Sequence, residues 1–172
     1  EMVLDVSPTG ANIAEDLQNV PVLIRLHTGN FGYFLDIQPK GEDIRFVAGD
    51  DKTPLKFHIE HFDAINEMAL IWVQIPEIKA GSQDTTIWMY YGSESAVAGD
   101  DANGTYDQQT ALVYHFDATK TALVDSTAYA SKVGAFNAEL KAASLIGGGV
   151  SFAGINDDGA TRFVITDSPT LV

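Results

Sequence analysis

Apolar side chains along this chain of 172 residues come in short runs, not in helical stripes. The clearest are VPVLIRLH (Val20–His27), DIRFVA (Asp43–Ala48), LKFHIEHF (Leu55–Phe62), MALIWVQIP (Met68–Pro76) and TTIWMYYG (Thr85–Gly92). After a break come TALVYHF (Thr110–Phe116), GVSFAG (Gly149–Gly154) and ATRFVIT (Ala160–Thr166). The runs recur roughly every dozen residues, with turn formers such as GDDKTP and KAGSQD between them. That spacing predicts an all-β protein, an antiparallel jelly-roll-like β-sandwich. The helical signal is weak: ANIAEDL is long enough for a turn or two.

Two of the runs carry more information. Side chains on a strand alternate between faces, so Ile87, Met89 and Tyr91 share one face while Trp88 and Tyr90 share the other. Likewise Leu70, Trp72 and Gln74 oppose Ala69, Ile71, Val73 and Ile75. Strands apolar on both faces are expected at the middle of a sheet, covered on each side. A sugar-binding platform would instead set its rings on an otherwise polar face. Core packing is therefore the expected role of these aromatics.

The pattern stops near Gly92. From there to Gln109 the chain is small, polar and acidic, without a period, as expected of a connector. The predicted organisation is a β-sandwich over residues 1–108, its acidic connector starting at about residue 93, and a second module over 109–172. Glu1 is not an initiator Met, and VITDSPTLV stops just after an expected strand and turn. The native polypeptide is accordingly expected to continue past Val172, leaving the second module truncated. An unfinished sandwich exposes strand edges, so self-association through them is a further expectation.

Charge narrows the partners. A formal net charge of −14 repels phosphate backbones and anionic headgroups, so neither nucleic acid nor a membrane surface is an expected partner. No run approaches the roughly 18 apolar residues of a membrane span, so no direct membrane insertion is expected. The absence of cysteine excludes disulfides and thiolate–zinc sites.

Candidate chemistry sits in the acidic stretches. In GDDANGTYD, Asp100, Asp101, Asn103 and Asp107 offer hard oxygen ligands and Gly104 allows a tight turn, which suits Ca2+. The full spacing of a calcium-binding helix–loop–helix is missing, and a solvated connector would look the same. GINDDGA (Gly154–Ala160) reads as a hairpin turn without an ion. In HIEHF, strand alternation sets His58 and Glu60 on one face and His61 on the other; a metal there would need help from His27 or His115. No GxSxG elbow is present, and IGGGVSF lacks the lysine and spacing of a phosphate loop. Catalysis is not expected.

The ordered motifs resemble a known family. VPVLIRLHTGNF, GEDIRFVAGDDKTPLKFHIEHFD and ALIWVQIPEIKAGSQDTTIWMYYG closely resemble, over Val20–Gly92, the bacterial family known as domain of unknown function 2341. Downstream, ALVYHFDATKTALVDSTAYASKVGAF and GGGVSFAGINDDGATRFVITDSPTL resemble the opening of a laminin-G-like, concanavalin-type jelly roll. The first resemblance implies a β-sandwich in an exported bacterial protein, periplasmic, cell-surface or secreted. Some such proteins carry TolQ/ExbB-type proton-channel segments. The second implies binding of a glycan or an envelope protein, sometimes through calcium. Neither brings a catalytic residue. The resulting expectation is a non-catalytic binding module; a structural or assembly domain of an envelope machine and a fragment of a polysaccharide-active enzyme are the alternatives.

Overall fold

The computed structural model of the chain describes residues 1–119, 122–141, 144, 146–153, 161–166 and 168. It divides into two compact units, Glu1–Asp107 and Gln108–Val172.

The first unit is a β-sandwich. Its strands are β1 (Met2–Leu4), β2 (Leu17–His27), β3 (Arg45–Ala48), β4 (Pro54–Leu55), β5 (Phe57–Asp63), β6 (Met68–Ile78) and β7 (Thr85–Tyr90). One sheet has the order β2-β6-β5 and the other β1-β7-β3-β4, with every pairing antiparallel. The two runs that are apolar on both faces, β6 and β7, are indeed inner strands. Ile24, Ile71 and Val73 of the first sheet share one core with Phe46, Leu55 and Ile87 of the second. Each such buried side chain contributes about 1.5–3 kcal/mol.

Strand β5 departs from simple alternation. His58 pairs with Trp72 and Ile59 with Ile71, but the register then shifts and His61 pairs with Leu70. Glu60 occupies the resulting bulge. Cross-strand partners share a face, and Trp72 and Leu70 are two residues apart, so His58 and His61 lie on the same face, away from the core. Counting by twos had set them on opposite faces; the extra residue reverses that.

One end of the sandwich is tied by Asp43, only 2% exposed. One carboxylate oxygen accepts the backbone N–H of Gln38 at 2.8 Å. The other accepts those of Gly92 and Ser93 at 2.6 and 3.1 Å. Gly92 adopts a φ of 91°, which lets the chain leave β7 with its N–H aimed at that carboxylate. Beyond this point the acidic run stays attached to the first unit. Gln38 donates to the Ser93 and Ala96 carbonyls, Arg45 to the Val97 carbonyl, and Asp101 N–H bonds the Phe57 carbonyl of β5.

The second unit contains β8 (Val133–Phe136), β9 (Glu139–Lys141), β10 (Gly149–Ser151) and β11 (Phe163–Ile165), paired antiparallel as β8 with β11 and β9 with β10. The expected strand over Thr110–Phe116 does not form. Its central residue is engaged instead by the DST turn: Val113 N–H donates to the Asp125 carboxylate and Ser126 N–H to the Val113 carbonyl. Asp125 also accepts from Thr127 N–H, the Thr127 hydroxyl and Ser131 N–H. Phe163 gathers Tyr114, Phe116 and Phe136 around it at ring distances of 4.9, 5.4 and 5.9 Å. The GINDDGA turn lies outside the described residues.

Burial alone would push the Asp43 carboxyl up, but the backbone N–H donors outweigh it and hold its pKa below the ordinary 3.8. A depressed folded-state pKa stabilises the fold above the unfolded value and loses that contribution as pH falls through the folded one. Asp43→Asn, which turns an amide toward backbone donors, is expected to cost the first unit about 2–3 kcal/mol in urea unfolding at pH 7. The wild-type advantage should shrink below pH 4.

Candidate functional site

The tied end of the sandwich carries an aromatic cluster. It is built from NFGYFLD (Asn30–Asp36), the loop after β2, and from Tyr91, the residue after β7. A tight turn starts the loop: Asn30 and Phe31 both donate their N–H to the His27 carbonyl, and the Asn30 side chain bridges His27 N–H and the Arg25 carbonyl. A single 3-10 turn, Phe34–Asp36, ends it, with Asp36 N–H on the Tyr33 carbonyl. Phe34 is buried against Phe31 and Phe62 and anchors the turn.

Above that anchor the rings meet solvent. Tyr33 is 58% exposed; it lies 5.8 Å from Phe31 and 6.2 Å from Tyr91, and Phe31 stands edge-on to Tyr91 at 5.3 Å. Burial, then Tyr33 and the charge of Asp36, push the Tyr91 phenol up, so it stays a neutral hydroxyl. The β5–β6 turn ends on the same side, because Met68 pairs with both His27 and Asp63. Leu35, on the ring loop, and Ile65, in the β5–β6 turn, are 85% and 90% exposed. The loop was not singled out from the sequence, because no strand period marks it. Three rings in four residues around a glycine, outside any strand, were the available signal.

The candidate calcium residues are placed differently. Asp101 caps a one-turn helix, α1 (Ala102–Thr105), its carboxylate accepting from Gly104 N–H at 2.9 Å, and its other oxygen lies 3.8 Å from the Lys56 ammonium. Asp100 and Asn103 are exposed and Asp107 is half-buried. Among the described residues, no three His, Asp or Glu side chains form a group that could hold a metal ion.

The HIEHF residues form a polar layer with α1 and β6. The Trp72 indole donates to the Glu60 carboxylate at 2.7 Å, and the His58 ring meets the Tyr106 hydroxyl at 3.4 Å. Burial, helped by the Glu60 charge, pushes the Tyr106 phenol up. On β7, Ile87 is core while Tyr90, on the opposite face, is half-exposed and donates its hydroxyl to Asp51. The Trp88 indole N–H is buried with no partner among the described residues. Core packing thus accounts for one face of TTIWMYYG.

A family model described as a domain of unknown function, DUF2341, matches residues 40–132, more than half of the chain. The chain belongs to the DUF2341 family. The DUF2341 match opens just before Asp43, takes in β3 to β7 and the tethered acidic run, and reaches past the Asp125 turn. It overlaps the sequence resemblance over residues 40–92, and the aromatic loop precedes it. No curated protein and no solved structure matches this DUF2341 chain. No helix among its described residues is long and apolar enough to cross a membrane.

A capping role for Asp101 makes Asp101→Ala cost about 1 kcal/mol whether or not calcium is present. Melting curves in EDTA and in millimolar calcium check this. A calcium-dependent rise that vanishes in Asp101→Ala and Asp107→Ala would instead assign the run a metal.

Proposed function

We propose that this chain is a non-catalytic binding module of a bacterial envelope or exported protein, and that its ligand is a glycan. The observation that carries the reading is the half-exposed Tyr33 ring, held beside Phe31 and Tyr91 on a loop anchored by buried Phe34. Tyrosine presents a broad apolar face at little cost in side-chain entropy, with a hydroxyl at its edge. A sugar ring, apolar on its C–H faces and polar around its rim, complements such a surface. The hydrogen bonds around Asn30 and Asp43 fix the platform before binding, which lowers the ordering cost. The likeness of the sequence to exported bacterial proteins supports the cellular setting.

A second reading rests on Leu35 and Ile65. Two bare aliphatics, one on the ring loop and one in the turn at the same end of the sheet, also suit a protein surface, as in an assembly domain of an envelope machine or a self-associating module.

Gel retardation by soluble polysaccharides (a β-glucan, a xylan, glycol chitin) tests the first reading. At least one should retard the wild-type protein, and Tyr33→Ala should weaken that binding about tenfold, or 1.4 kcal/mol, without changing the melting temperature. Retardation that is equal in Tyr33→Ala would remove the platform from the account. No retardation at all, with self-association abolished by Leu35→Asp and Ile65→Asp, would favour the second reading.

A further inference from the structure

The platform is bordered by charge of one sign. Asp36 directly follows Leu35, and its side chain is exposed. Among the described residues no lysine, arginine or histidine pairs with it; Lys56 lies instead by Asp101, and Lys79 by Asp16 and Glu77. Its charge reaches the neighbouring ring, since it helps to raise the Tyr91 phenol. The wider field has the same sign: residues 1–107 carry 18 Asp and Glu against 6 Lys and Arg, a formal charge of −12.

An exposed tyrosine face, with half-buried Tyr91 beside it, and an unpaired carboxylate on the same loop as Tyr33 are the components that recognise an ammonium group. The ring quadrupole attracts the cation and the carboxylate supplies the counter-charge. The same field repels sulfated, phosphorylated or uronic-acid chains. Resting on the glycan reading above, we infer that the platform selects an amine-bearing glycan, with Tyr33 and Tyr91 meeting the sugar and Asp36 meeting its ammonium.

A matched pair of probes isolates the charge: chitosan oligosaccharides, which carry free amines, and the same oligosaccharides fully N-acetylated. By calorimetry at low salt, the amine form should bind wild-type protein about fivefold more tightly or better, as expected for a cation–π contact joined by a nearby carboxylate. Asp36→Asn should erase that preference while leaving the N-acetylated form's affinity unchanged, and high salt should reduce it. Equal affinities for the two forms, both weakened in Tyr33→Ala, would overturn the ammonium inference and leave the glycan reading standing. A preference that survives in Asp36→Asn would transfer the effect to the general acidic field and overturn the role of Asp36. Failure of both forms, and of the neutral polysaccharides, to bind would overturn the glycan reading and this inference with it.

Discussion

Where a strand ends, its last backbone N–H groups lose their ladder partners, and a buried one must find another acceptor. In the first unit that acceptor is the Asp43 carboxylate, which takes N–H groups from both sides of the sandwich end: Gln38 after the 3-10 turn, and Gly92 and Ser93 after β7. The rings of the platform depend on the same bonds. Tyr91 directly precedes Gly92, and Phe34 and Asp36 shortly precede Gln38. One carboxylate therefore holds the two chain segments that carry the platform. Asp125 does comparable work in the second unit, joining Val113, Thr127 and Ser131.

The two sheets divide their labour by face. The inner faces supply a continuous aliphatic and aromatic core. The outer face of the β2-β6-β5 sheet carries a hydrogen-bonded layer in which the bulge at Glu60 brings a carboxylate to the Trp72 indole. Burying a charge is costly unless it is hydrogen-bonded, and the Trp72 indole supplies such a bond. The opposite sheet turns Tyr90 outward with its hydroxyl held by Asp51. These polar contacts make registers specific where packing alone would tolerate a slip.

Much of this was legible in the chain itself, for a physical reason. Long runs such as those of β2, β6 and β7 bury one or both faces, so their periodicity must survive selection for packing. The sandwich and its inner strands follow from them. What could not be read depends on partners distant in sequence. The bulge at Glu60 leaves no local mark, so a count by twos misplaced His61. The run Thr110–Phe116 has a strand's composition, yet Val113 gives both its N–H and its carbonyl to a turn a dozen residues on. The acidic stretch after Gly92 has a connector's composition, but distant donors and acceptors on Gln38, Arg45 and Phe57 bind it down. Tyr33 belongs to the same group. Its exposure depends on Phe34, not Tyr33, filling the gap beside Phe62.

The two units also differ in what they hide from water. Buried side chains of the first are mostly hydrocarbon, whereas those of the second, among the described residues, are all polar: Asp125, Ser126, Thr127 and Ser131. Exposing hydrocarbon raises the heat capacity of the unfolded chain and exposing polar groups lowers it. The first unit should therefore have a strongly curved stability profile with a distinct optimum temperature. Among the described residues of the second, the rings around Phe163 are only half-buried, so their share of the curvature should be smaller. Cooling would then weaken the hydrophobic sandwich while leaving the aspartate-centred turn nearly untouched, and the order in which the two units yield could differ between cold and heat.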